Sequence, residues 1–170
     1  MTDPLCRRGF TRAALAGAAA LWLPAVGRAD EPSDLALDVR VAALGERSRL
    51  EVVLFARSSG SRGVEVPANG LRLTGHLARD GAARPLALEP KRRPAPMPRT
   101  GPRVTRRILV PAEGEARLGA YAARLEAPWP GAICRVAIAT RRLGGATGED
   151  RAALAALDGR TASCRVRWRG

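Results

Sequence analysis

The chain has 170 residues, with 29 Lys and Arg against 16 Asp and Glu, a formal net charge of +13, and 4% aromatic side chains. That length suits one domain behind a leader and can bury a sizeable core. The charge invites a nucleic-acid partner, but stacking on bases needs aromatic side chains that are scarce here, and Lys91 is the only lysine. The dominance of Ala, Gly, Pro and Arg reads instead as GC-rich codon use, so nucleic acid is not the expected partner.

The chain opens on a distinct segment. Arg7, Arg8, Arg12 and Arg28 flank a run without charge from Ala13 to Gly27. The run is shorter than the ~20 apolar residues of a membrane-spanning helix and suits the apolar core of a signal peptide. Pro24 ends its helical part, and small residues follow at Ala25, Gly27 and Ala29. Cleavage is expected after Ala29, with Gly27 as the second choice. Residues 1–29 are therefore read as a leader and 30–170 as the mature domain. Cys6 precedes the apolar run, so it is not a lipid-anchor cysteine.

The motif Arg7-Arg8-Gly9-Phe10-Thr11-Arg12 resembles the twin-arginine (Tat) export signals: two arginines, any residue, Phe, an apolar residue and Lys. Arg7, Arg8 and Phe10 carry the likeness, while Thr11 and Arg12 depart from it. The resemblance implies that the passenger folds before crossing the membrane, that the Tat translocase is its partner during export, and that the mature chain is periplasmic or secreted. Many such passengers carry a cofactor loaded in the cytoplasm. Others simply fold fast or travel with a partner that bears the signal.

Beyond the leader the chain carries 25 basic and 15 acidic groups and no further apolar run that would make a transmembrane helix. Leu35 to Val41 alternates as a half-buried strand, and Gly45 to Ser48 is a turn. Leu50 to Ala56 is apolar on both faces at its centre, as an interior strand is. Val64 to Val66 follows the turn Ser58 to Gly63, and Leu71 to Ala78 follows the break Pro67 to Gly70. After the turn Asp80-Gly81, Leu86 to Leu88 reads as a short edge strand. Val104 to Val110, Leu118 to Leu125 and Ile133 to Thr140 are further strands. Between Thr147 and Gly159 an acidic start, an alanine-rich body and a glycine stop mark a short helix. Cys164 to Arg169 is the last strand, with Cys164, Val166 and Trp168 facing inward.

About seven or eight short strands with Gly/Pro turns predict an all-β fold, a β-sandwich with one short helix before the last strand. The phrases at Ser58-Ser59-Gly60 and Trp129-Pro130-Gly131 loosely resemble immunoglobulin-like domains, a likeness of pattern that carries no function. Two cysteines follow the leader, Cys134 and Cys164, and an even number in an exported chain reads as a disulfide. Simple antiparallel neighbours in full register would place two strand-opening cysteines at opposite ends, too far apart to join. An offset register, facing sheets or a parallel pair resolves this, and the helix is expected to span from one sheet to the other.

Catalytic and metal chemistry find little support. His76 and Met97 are the only His and Met beyond the leader, whereas copper or haem ligation wants clustered His, Met or thiolate. No cofactor or metal is expected, and His76 is read as a surface residue. A Ser-His-Asp arrangement would need His76 as base with Ser58, Ser59, Ser61 or Ser163 as nucleophile, and no Gly-x-Ser-x-Gly elbow is present. Glu113 and Glu115 lie in an apparent turn, and Gly144 to Gly148 lacks the lysine of a phosphate loop. The strongest candidate site is the stretch 90–103, where Lys91, Arg92, Arg93, Arg99 and Arg103 alternate with Pro90, Pro94, Pro96, Pro98 and Pro102. A stiff proline-rich segment docks at low entropic cost, and its cations would steer an anionic partner. The expected function is a non-catalytic binding or accessory domain that contacts another protein or an anionic envelope surface. The alternative is a periplasmic enzyme or cofactor-carrying subunit.

Overall fold

The computed structural model describes residues 35–91 and 101–169. The leader, with Arg7, Arg8, Phe10 and Ala29, lies outside these residues, as do Arg92, Arg93 and Arg99. Within them the protein is mostly β. The strands in chain order are β1 (Leu37–Glu46), β2 (Arg49–Ser58), β3 (Val64–Pro67), β4 (Leu71–Arg79), β5 (Ala82–Leu86), β6 (Glu89–Pro90), β7 (Arg107–Val110), β8 (Glu115–Arg124) and β9 (Ile133–Thr140). The helix α1 (Gly148–Leu157) follows, then β10 (Thr161–Arg165) and β11 (Arg167–Arg169).

Three sheets form: a five-stranded one in the order β11-β1-β2-β8-β6, a four-stranded one in the order β10-β9-β4-β5, and the ribbon β3-β7. Alternation decides which side of each strand is buried. In β1, Leu37, Val39, Val41 and Ala43 face inward while Asp38, Arg40 and Ala42 face out. Leu50, Val52 and Leu54 of β2 meet Leu73 and Leu77 of β4 and Val136 and Ile138 of β9 in one hydrophobic cluster. The helix adds Ala153, Leu154 and Leu157 to it. As expected, β2 is interior, lying between β1 and β8.

The eleven strands exceed the seven or eight expected, and two breaks in the chain contribute to the excess. The segment read as one last strand breaks at Val166, whose N–H donates to Ala132 O (3.1 Å) and whose side chain is buried. There the chain leaves the four-stranded sheet, and β11 enters the five-stranded sheet parallel to β1. The edge strand expected at Leu86 to Leu88 is not formed: Ala87 and Leu88 are the break between β5 and β6. β5 pairs with β4 and β6 with β8, so this stretch also switches sheets. The helix does not span from one sheet to the other. It returns the chain beside β9, where β10 runs antiparallel in the same sheet.

Close approach requires glycine at position 45. It lies opposite Trp168 in the parallel register, and a Cβ there would come within 2.3 Å of the indole ring. Trp168 therefore lies flat against β1 and fixes β11 on that edge.

The helix N-terminus is tied to the ribbon. Thr147 caps α1, its Oγ1 accepting from Asp150 N (3.1 Å) while Asp150 Oδ2 accepts from Thr147 N (2.8 Å), a reciprocal capping box. Asp150, only 2% exposed, also accepts from Arg107 Nε and Nη2 of β7, both at 2.9 Å. The Arg107 hydrogen bonds, followed by that from Thr147, hold the carboxyl well below its ordinary value of 3.8. A carboxylate depressed in this way stabilises the fold fully above its unfolded-state value, and the stabilisation is lost as pH falls through the lower native one. Asp150→Asn is expected to cost about 2 kcal/mol near neutrality, discounted because Arg107 is partly exposed. In urea titrations from pH 7 down to pH 3, the difference between the two proteins should shrink only at the acid end. A difference independent of pH would sink the assignment.

Candidate functional site: the outer face of the four-stranded sheet

The proline- and arginine-rich stretch is described only at its ends. Lys91 N donates to Ala120 O (2.9 Å), which seats this end on β8, and Lys91 Nζ forms an ion pair with Glu51. Its charge is thus answered within the protein. At the other end Arg103 pairs with Gly144, and its carbonyl accepts from Asn69 Nδ2 (2.6 Å). The Arg103 side chain is exposed. The two ends are fastened at different places, Lys91 on the five-stranded sheet and Arg103 on the segment before α1.

The structure brings together a set of side chains that sequence reasoning did not single out. β4, β5, β9 and β10 contain no Asp or Glu, yet carry Arg72, Arg79, Arg84, Arg135, Arg165 and His76. Outward positions form rows across the strands. One row is His76, Arg135 and Ser163; the next is Thr74, Ala137 and Thr161; a third is Ala78, Ile133 and Arg165. The first two rows line an open depression of about 630 Å³. Its floor is the small side chain of Ala137, and its wall offers one guanidinium, one imidazole and three hydroxyls.

Among the described residues, Arg72, Arg84, Arg135 and Arg165 form no ion pair, and Arg79 pairs with Asp80 in the adjoining turn (3.2 Å). Arg79 and Arg84 share the side of the sheet that carries Leu77, and at its margin they stack on Trp129 with guanidinium carbons 5.6 and 4.5 Å from the ring centroid, so they do not belong to the outer face. Arg79 Nη1 also donates to Pro130 O (2.8 Å), and Trp168 Nε1 donates to Trp129 O (3.2 Å). The indole is buried beneath the two cations.

The outer face of the five-stranded sheet is arranged differently. Asp38, Glu46, Glu51, Glu89 and Glu115 are interleaved with its arginines. Arg40 meets Glu115 at 2.7 Å, and Arg117 approaches Glu51 at 4.0 Å. Both signs are thus mixed there, although Arg49, Arg57, Arg124, Arg167 and Arg169 form no ion pair among the described residues, whereas the four-stranded sheet carries no carboxylate within its strands.

His76 lies opposite to Leu73 and Leu77, as expected, though half-buried rather than free on the surface. Ser163 shares its row, but Arg135 lies between them, so the two backbones are about 9–10 Å apart across two strand spacings. Ser58 is buried, and its Oγ accepts from Gly60 N (3.2 Å). Among the described residues no three His, Cys, Asp or Glu side chains gather where they could hold a metal ion. No helix there is long and apolar enough to cross a membrane.

Cys134 and Cys164 are free thiols in this structure, so the expected disulfide is not formed. The obstacle foreseen from the sequence disappears, because Cys164 stands near the end of β10 rather than at the start of a strand. It lies directly opposite Cys134 in antiparallel register. The bonds Ile138 N to Arg160 O (2.9 Å) and Val166 N to Ala132 O (3.1 Å) alternate so that this is a hydrogen-bonded pair. Its Cα atoms are then about 5.5 Å apart, within disulfide reach. Burial, and next the neighbouring Cys164, push the Cys134 thiol up to about 12, which leaves it unreactive as a nucleophile near neutrality.

Comparison with known protein families, with characterised proteins and with solved structures finds no match to this chain. Function must therefore be argued from the surface itself.

Unfolding and refolding in oxidised glutathione should convert the pair to a disulfide, the two thiols losing their hydrogens as glutathione is reduced. A 30-residue separation implies roughly 3–4 kcal/mol of added stability in the chain-entropy model. Mass spectrometry would read the loss of two hydrogens, and denaturant titration the gain. Persistent free thiols after unfolding and refolding in the oxidant would reject the pairing.

Proposed function

We propose that this protein is a non-catalytic binding domain, exported as a folded body behind a twin-arginine leader and working in the periplasm or outside the cell. In this reading the body is an immunoglobulin-like sandwich in the loose sense of two sheets sharing a core, elaborated by the β3-β7 ribbon and the helix. Its partner is anionic, a protein or an envelope surface. The observation that carries the reading is the four-stranded sheet without a single carboxylate, whose arginines find no counter-charge on the same strands. Cations without internal partners attract an external anion over about a Debye length, roughly 10 Å in 0.1 M salt. Arg103 and the undescribed arginines of the 92–100 stretch add to that attraction.

The export half is tested by replacing Arg7 and Arg8 with lysine, which keeps charge and loses the motif. The expected outcome is retention of the whole chain in the cytoplasm, read by fractionation and the mass of the exported form. Undiminished export would reject the Tat assignment.

The binding half is tested with two variants of equal charge change. Arg135→Glu with Arg165→Glu should elute from immobilised polyglutamate at about half the parent's salt concentration. Arg57→Glu with Arg124→Glu, on the five-stranded sheet, should shift elution far less. Equal shifts would mean that net charge alone sets binding and that this face is not the site.

A further inference from the structure

Charge complementarity says the partner is negative; the shape and chemistry of the face narrow it further. The outward arginines, Arg72, Arg135 and Arg165, are spread over three strands, about 10 Å across at the ordinary strand spacing. Ile133, 39% exposed, is one of the two large apolar side chains left open among the described residues, and it stands on this face between Ala78 and Arg165. Around it the floor is low, with Ala78, Ala137 and Ala139 pointing outward. A lone aliphatic side chain among cations would contribute little to binding a solvated acidic protein. It is suited to an interface where acyl chains begin just beneath a layer of phosphates.

The depression supplies the second argument. Thr74, Thr161, Ser163, His76 and Arg135 surround Ala137, and they offer more donors than a carboxylate has oxygens to accept. A phosphate group accepts from several directions at once, and guanidinium and hydroxyl donors suit it. Arginine stems can also lie along apolar surface while their heads remain among phosphates. Nucleic acid offers phosphates too, but these four strands carry no Phe, Tyr or Trp on which a base could stack.

We propose that the outer face of the β10-β9-β4-β5 sheet docks on an anionic phospholipid surface, with Ile133 entering the headgroup layer and the depression around Ala137 seating one lipid phosphate. The proposal rests on the reading of this face as the binding surface, and it names the partner. Binding then combines a salt-sensitive attraction with a small salt-insensitive apolar contribution.

The test uses the full chain and vesicles of phosphatidylcholine, with or without about one-third phosphatidylglycerol. Every variant keeps the same leader, so differences between variants report the face. The parent should sediment with the anionic vesicles about tenfold or more better than with the neutral ones. Arg135→Gln with Arg165→Gln should remove most of that preference, and Arg57→Gln with Arg124→Gln should leave it. Ile133→Ser should weaken vesicle binding several-fold with no change in elution from polyglutamate. All substituted side chains are exposed, and unchanged thermal melts would confirm that each variant is folded. If the face variants lose polyglutamate but bind vesicles as the parent does, the lipid proposal falls while the anionic-face reading stands. If they change neither, both fall. If Ile133→Ser has no effect on vesicles, the inserted geometry is overturned.

Discussion

The buried carboxylate of Asp150 is the constraint on which one side of the molecule depends. A carboxylate that is 2% exposed is tolerable only because its oxygens are filled, by two donors of Arg107 and the backbone N–H of Thr147. These bonds join three things that the chain builds separately: the helix N-terminus, the β7 strand and the loop between β9 and α1. The placement of Leu154 and Leu157 in the core follows from where that helix begins. Removing the charge leaves Arg107 without its partner at a site designed around a pair, and for that reason the cost exceeds that of an exposed ion pair.

The two larger sheets contribute to one core and differ in how charge is arranged on them. On the five-stranded sheet, Arg40–Glu115 and Lys91–Glu51 answer charge locally. On the four-stranded sheet no carboxylate is available within the strands, so the field of the arginines extends outward. The average composition conceals this. The net charge of +13 belongs to the whole chain; what gives this face direction is that its arginines stand without a carboxylate among them.

The strands with clear alternation were legible in the sequence. Ile133 to Thr140 falls where its pattern placed it, and Leu71 to Ala78 gains only Arg79. The short helix also stands where the acidic start and glycine stop indicate. Alternation cannot say which sheet a strand joins, so the switch at Val166 was invisible: a residue buried on the inward side reads the same on either side of the break. The cysteine pairing was argued from the wrong strand boundary for this reason. The signal for the acid-free face was present, since the four segments without Asp or Glu can be read directly, but the proline-rich stretch drew notice by its density of arginines. Thr147 and Asp150 have the spacing of a capping box, although the helix start was read from its acidic residues. Their link to Arg107 needed the fold, because 43 residues separate the partners.

The position of β1 has a mechanical consequence. It is flanked by β2 through ten paired positions and by β11 in parallel at its far end. Tension applied to the chain ahead of Leu37 acts along the strand axis and loads those ladders in shear. Many backbone bonds then share the force, in contrast to a hairpin at a sheet edge, which peels open one bond at a time. A tug from the amino-terminal side thus meets the body at its most resistant seam and can carry it whole.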